Sequence, residues 1–262
     1  TTALPVATGE RLTPARAHLV AWGDRVGRLR PLSLGPVVDG PFQPLTAGLE
    51  RRRGAPSVAA SASGLAVLDC SADLGPLSAG DCGRTGSRVL HLASDLALHA
   101  ARPAPPEAID VALDAAGRLF VASAHGYASQ GPSRQRAVTA TAGVLRLGPV
   151  HSGLPAWRMP CDCPAGGRVA AGSGVVYAAQ PDQRQVGAHD PETGVAVANV
   201  ALGQPRGLWP SDVALGPGSR LFTADLSGAQ VQRFAGPGQP EAVWPGGGAL
   251  GPVRVAAGPW QD

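Results

Sequence analysis

The sequence predicts an all-β chain assembled from repeated antiparallel sheets, and three observations carry that prediction. The stretch "DVALDAAGRLFVAS" from Asp110 returns a hundred or so residues later as "DVALGPGSRLFTAD" from Asp212. Gly (36) and Pro (26) together approach a quarter of the 262 residues, which marks a chain dense in tight turns. Its apolar runs are short and tend to alternate, and none approaches the roughly 18 residues of a membrane-spanning helix.

Aligning on Val-Ala, a Gly-containing turn and an apolar strand gives further copies. They start at Ser57 ("SVAASASGLAVLD"), Asp110, Arg168 ("RVAAGSGVVYAAQ"), Asp212 and Arg254 ("RVAAGPWQD"). Spacings of about 40 to 60 residues are those of blade-type repeats. Each copy reads as a short strand of Val and Ala, a tight turn, and a second strand. A third strand follows in "VLHLAS", "VLRLGP", "QVGAHD" and "VQRFAG". A fourth follows in "LALHA", "VAVANVAL" and "EAVWP". Four short antiparallel strands per repeat make a blade of a β-propeller. The small side chains of the first strand suit the crowded position nearest the axis.

The last copy supplies only an innermost strand, and the N-terminal "HLVAWGD" and "VGRLRPL" match the second and third strands that it lacks. The prediction is therefore a five-bladed ring whose last blade is closed by N- and C-terminal strands, which hides two sheet edges. Six blades result if residues 124–165 hold a degenerate blade. Residues 1–262 are read as one propeller domain, with residues 1–9 as an extended arm.

The repeats resemble the NHL-type propeller repeat. The match is best over residues 212–234, through Asp212, Val213, Ala214, Gly218, Leu221, Phe222, Ala224, Asp225, Val231 and Phe234. Residues 110–123 match nearly as well but end in Ser123. The resemblance implies a propeller that serves as a binding or scaffolding platform. It speaks to architecture far more than to activity.

All 22 basic residues are arginine, and the formal net charge is +3. That charge is small and dispersed, so no nucleic-acid partner is expected. The run Arg51-Arg52-Arg53 reads as a solvated turn. Abundant Ala, Gly, Pro and Arg fit a GC-rich, bacterial genome. No leader is legible in "TTALPVATGERL". Thr1 follows either a trimmed methionine or a removed signal peptide. No direct membrane insertion is expected.

The residues preceding each Val-Ala pair are Ser57, Asp110, Arg168, Asp212 and Arg254. Equivalent repeats place them at one level around the axis. The preferred reading makes Asp110, Arg168, Asp212 and Arg254 clamps between blades, because a guanidinium fork suits a half-buried carboxylate. The alternative is a polar ligand site at the channel mouth. A divalent metal fits poorly there, since two carboxylates would stand beside two guanidinium groups.

Cys70 and Cys82 read as a disulfide stapling a long loop, worth about 3 kcal/mol. The even cysteine count favours an oxidising, extracytoplasmic location, periplasmic or secreted, over the cytoplasm. Cys161 and Cys163 are too close in sequence for a relaxed bridge. A zinc held by Cys70, Cys82, Cys161 and Cys163 is the sharper alternative, although neither pair has the usual zinc spacing. His91 and His99 fall in strand-like runs and face solvent or pack, and His125, in the long polar loop, is the histidine to test for chemistry. Trp22, Trp157, Trp209, Trp244 and Trp260 recur near blade boundaries, where they fill gaps between blades. No nucleophile elbow, phosphate loop, H-E-x-x-H or haem-attachment motif is present, and no cofactor is expected.

The reading leans away from catalysis. A non-catalytic scaffold or protein–protein interaction subunit, contacting other protein subunits of a larger assembly, accounts for the missing catalytic constellation and the long loops. An enzyme resembling propeller lactonases and lyases, with its site at the channel mouth, is the alternative.

Overall fold

The computed structural model describes residues 11–15, 18–22, 25–32, 35–38, 43–44, 57–61, 64–69, 88–92, 98–105, 107–124, 126–130, 135–140, 143–147, 155–160, 167–172, 174–200, 210–225, 230–236 and 240–245. Every strand among them is antiparallel to its neighbours. The first sheet holds β1 (Arg11–Ala15), β2 (His18–Trp22), β3 (Arg25–Leu32) and β4 (Gly35–Val38), with β5 (Gln43–Pro44) also pairing β3. The second holds β6 (Ser57–Ser61), β7 (Gly64–Asp69), β8 (Arg88–Leu92) and β9 (Leu98–Pro103). In the third, β10 (Ala108–Leu113) and β11 (Leu119–Ser123) lead into a separate hairpin, β12 (Gly126–Gln130) and β13 (Gln135–Ala140). The sheet then resumes with β14 (Gly143–Leu147) and β15 (Pro155–Pro160). The fourth comprises β16 (Val169–Ala171), β17 (Val176–Gln180), β18 (Gln185–His189) and β19 (Ala196–Val200). The fifth comprises β20 (Pro210–Leu215), β21 (Leu221–Asp225), β22 (Gln230–Phe234) and β23 (Ala242–Pro245).

The repeated stretches take equivalent places. Asp110 pairs with Ala122 and Asp212 with Ala224, and each Val-Ala run forms the first strand of its sheet. The connecting turns follow local chemistry. Between β10 and β11, Asp114 Oδ1 accepts the N–H groups of Ala116 (3.0 Å) and Arg118 (2.8 Å), while Gly117 takes φ 79°. An Asp that bonds its own turn and a glycine in the left-handed region are what a tight strand reversal requires. At the start of β16, a Cβ on Gly167 would stand 1.6 Å from the Ala179 carbonyl oxygen, so only glycine lets these two strands approach.

Successive first strands lie side by side, β1 against β6, β6 against β10, β10 against β16, and β16 against β20. The core is the stack of apolar layers between the sheets. Leu68, Val89, Val111 and Val121 fill the second interface. Phe120, Val144, Val169 and Val176 fill the next, and Val186, Val213, Leu221 and Phe234 the one after. Each such side chain, fully buried, contributes about 1.5–3 kcal/mol.

Two details differ from the sequence reading. The edge of β2 assigned to the last copy, "RVAAGPWQD" from Arg254, is occupied by β1, in the register Arg11↔Trp22 to Ala15↔His18. A link of only two residues joins β1 to β2, so this pairing costs far less chain entropy than recruiting the distant C-terminus. Pro14 suits that place, because an edge strand tolerates a residue lacking N–H. Residues 1–9 and 254–262 lie outside the described residues. Within 124–165, the described residues form the β12–β13 hairpin together with β14 and β15, the third and fourth strands of the third sheet, rather than a further four-stranded sheet. No helix among the described residues is long and apolar enough to cross a membrane.

Candidate functional site

Antiparallel pairing puts the start of each first strand, the end of each second strand and the start of each third strand at one end of the molecule. Ser57, Asp110, Arg168 and Asp212 therefore share that end. Asp69 and Arg88 pair at that end, and the β12–β13 hairpin leaves from it between Ser123 and Gly143, which pair directly. Arg254, His125 and the four cysteines 70, 82, 161 and 163 lie outside the described residues.

Asp110 is the hub. It is fully buried, yet each carboxylate oxygen is engaged. Ser57 Oγ donates to Oδ1, and the Val169 N–H donates to Oδ2 at 2.9 Å. The same Ser57 oxygen accepts the Val111 N–H at 3.1 Å. One side chain thus bonds the sheet before it and the sheet after it. Arg168 Nη1 stands 3.9 Å from Asp110 Oδ1 and donates to the Ile109 carbonyl. Burying a carboxylate is costly unless hydrogen bonds replace its water, and these do.

Of the residues read as alternating clamps, the structure brings Asp110 and Arg168 together. Arg168 turns toward Asp110 and Ile109, not toward Asp212, which is itself fully buried. Sequence reasoning gave Ser57 the equivalent repeat position but no partner, and it missed the backbone N–H bonds. The signal was present, since a hydroxyl one repeat before a buried Asp is a natural donor to it.

A second polar cluster binds neighbouring sheets at the opposite end. Buried Asp114 takes Arg118 Nε at 2.5 Å. Arg118 and Arg146 both donate to Glu192, in the turn between β18 and β19. These two guanidinium groups, Arg146 first, hold the Glu192 carboxyl below the usual range. Burial alone would lower the Arg118 pKa, but its bonds to Asp114 and Glu192 outweigh that and raise it. Asp190 shapes the turn by accepting the N–H groups of Glu192 (2.9 Å) and Thr193 (2.8 Å).

His189 ends β18 at the place held by Leu92 and Phe234 in other sheets. Its Nδ1 lies 3.3 Å from the Gly194 carbonyl, and its buried Nε2 has no hydrogen-bond partner. Burial lowers its pKa, with the Gly194 contact opposing. Trp244 does not fill a gap between sheets as expected. It stacks on Phe222 of its own sheet at 6.3 Å, with Arg233 over its ring, and is 45% exposed.

Among the described residues, no three His, Cys, Asp or Glu side chains gather as metal ligands would. No protein-family model and no curated protein matches the chain. Solved structures do share its architecture. A selenomethionine-substituted virginiamycin B lyase from Staphylococcus aureus is 13% identical, with 92% of this chain and 72% of that chain covered and a TM-score of 0.54. BamB from Moraxella catarrhalis is 13% identical, covering 97% of this chain and 68% of that one, TM-score 0.53. A protein of unknown function from Bacteroides caccae is 10% identical, covering 96% and 88%, TM-score 0.59. At such identities the likeness shows the fold alone. The lyase and BamB are β-propellers, and so is this chain.

Proposed function

We propose that this β-propeller is a non-catalytic scaffold, a protein–protein interaction subunit of a larger assembly, with residues 1–262 as one domain. The observation that carries the reading is the engagement of Asp110. A carboxylate serving as general base or metal ligand needs a free oxygen facing substrate, whereas both oxygens of Asp110 bond the protein. The clamp role extends by repeat equivalence to Asp212 and Arg254. The β12–β13 hairpin supports an interaction role. It stands apart from the sheet that it interrupts, and a lone two-stranded hairpin is marginal without a surface to pack on. An extracytoplasmic location and a Cys70–Cys82 disulfide belong to the same proposal, supported by the even number of cysteines, 4.

Ser123 and Gly143 pair directly, so residues 125–141 can be replaced by a short Gly-Ser turn without breaking the β11–β14 ladder. The trimmed protein should keep its melting temperature and lose the subunits that co-purify with the intact protein from its native source. Unchanged co-purification would remove the hairpin from the interface. The competing reading, a lyase-type enzyme, draws on the likeness to the lyase structures. It requires turnover that disappears with His125→Ala.

A further inference from the structure

The outer edge of the fourth sheet lacks the guards that the other outer edges carry. A terminal strand presents N–H and C=O groups to any extended chain, and proteins blunt it with proline, charge or a bulge. On its outer side the first sheet has β4 and β5, which hold Pro36 and Pro44, and the second ends on β9, which holds Arg102 and Pro103. The third ends on β15, with Pro155, Arg158 and Pro160, and the fifth on β23, with Pro245. The fourth ends on β19, which contains neither proline nor charge. No charged residue occurs from 193 to 205. Val197 is bulged out of the ladder, but β9 and β15 are bulged at the same place, so the bulge does not set β19 apart. The side chains mark the same edge. Val195 and Val197, 63% and 61% exposed, are the most exposed large hydrophobics among the described residues, while Val200 is buried in the layer shared with the fifth sheet.

We infer that β19 pairs with β19 of a second copy, antiparallel about a two-fold axis, and joins the two fourth sheets into one continuous sheet. A sheet edge takes a strand, because a strand matches its row of donors and acceptors. Charge selects which strand. β19 set opposite itself brings no like charges together, and it offers no carboxylate to a mate that carries arginine. The other outer strands of the chain each contain proline, which cannot complete a ladder. Two-fold pairing also uses up both edges at once, so the assembly closes at two chains. Val195 and Val197 then lose water where the copies meet. A strand of five residues makes a small contact, so the dimer is weak and reversible.

The test is sedimentation velocity of the purified full chain over a range of concentrations. The protein should dimerise reversibly, with a Kd of about 10–100 μM for so small an interface. Val197→Lys and Val197→Glu should each weaken the dimer about tenfold or more, by setting like charges against each other. Melting of both variants at low concentration should stay near wild type, since Val197 is exposed. An equal mixture of the two should dimerise again, because opposite charges then meet across the axis. Hydrogen exchange at Ala196–Asn199 should slow as concentration rises through the same range. A wild-type chain that stays monomeric throughout would overturn the inference, as would a dimer that neither variant weakens. Exchange that slows only when a different protein subunit is added would overturn it too, since the mate is then a foreign strand.

Discussion

Ser57 and Asp110 are 53 positions apart in the chain, yet the hydroxyl of one donates to the carboxylate of the other across neighbouring sheets. The same hydroxyl oxygen accepts the Val111 N–H, and the other carboxylate oxygen accepts the Val169 N–H. Three consecutive first strands are thereby fastened through two side chains. The expected salt bridge contributes less, for at 3.9 Å with Arg168 partly exposed it lies at the edge of ion-pair range.

A double-mutant cycle should rank these contacts. Asp110→Ala should cost about 3–5 kcal/mol, since it removes the acceptor of the Ser57 hydroxyl and of the Val169 N–H and the carboxylate beside Arg168. Ser57→Ala should cost about 1–3 kcal/mol. The Ser57–Asp110 coupling should exceed about 1 kcal/mol, and the Arg168–Asp110 coupling should fall below it. The reverse order in urea unfolding would make the ion pair the principal clamp.

His189 gives a pH dependence of definite sign. Its pKa is lowered in the folded state, while the unfolded chain titrates near 6.5. The unfolded state therefore binds more protons below that value. Stability is full above pH 6.5 and falls as pH drops through 6.5 toward the folded midpoint. His189→Leu installs the residue type that Leu92 places at the equivalent position. The variant should be at least as stable as wild type near neutrality, and its advantage should grow as pH falls. His91 also titrates but is common to both proteins, so it cancels in the difference. A constant difference across pH would place His189 in contact with solvent.

The ladder of repeats was readable because its signals are local. Val-Ala strands, the Asp-Ala-Ala-Gly-Arg turn and alternating apolar positions each act over a few residues, and β10, β11, β20 and β21 lie where that pattern puts them. Side-chain partners at the shared end were only half readable. Repeat equivalence gives the level of Asp110 and Arg168, but which way a guanidinium turns depends on competing acceptors such as the Ile109 carbonyl. The edge taken by β1 was missed because "RLTPA" carries no Val-Ala signature and contains a proline. The contact between His91 and His99, edge to face with ring centroids 5.5 Å apart, escaped for a different reason. It depends on the shift in pairing between His91 and Leu92, which brings His99 alongside.

Backbone approach should separate two glycines of one hairpin. Gly167→Ala drives a methyl into the Ala179 carbonyl and should cost more than about 3 kcal/mol. At Gly174 a methyl meets nothing within 4 Å, so Gly174→Ala should change stability by less than about 1 kcal/mol. Similar melting temperatures for the two variants would contradict the close approach of β16 to β17.

Asp114 should matter through its turn more than through its charge. It accepts the N–H groups of Ala116 and Arg118 besides the Arg118 guanidinium. Asp114→Ala should cost about 2–4 kcal/mol, and little of that loss should be recovered in high salt. Glu192→Gln should have an effect that high salt erases, because Glu192 is exposed. Equal salt sensitivity of the two variants would assign both to surface electrostatics.

Native mass spectrometry with elemental analysis, on protein isolated from its own source, tests the scaffold reading most directly. The account predicts a defined complex with other protein subunits, no stoichiometric metal, and an Asp110→Asn variant that is less stable. A single-chain species carrying one metal per chain, with catalytic turnover abolished by Asp110→Asn at unchanged stability, would contradict it.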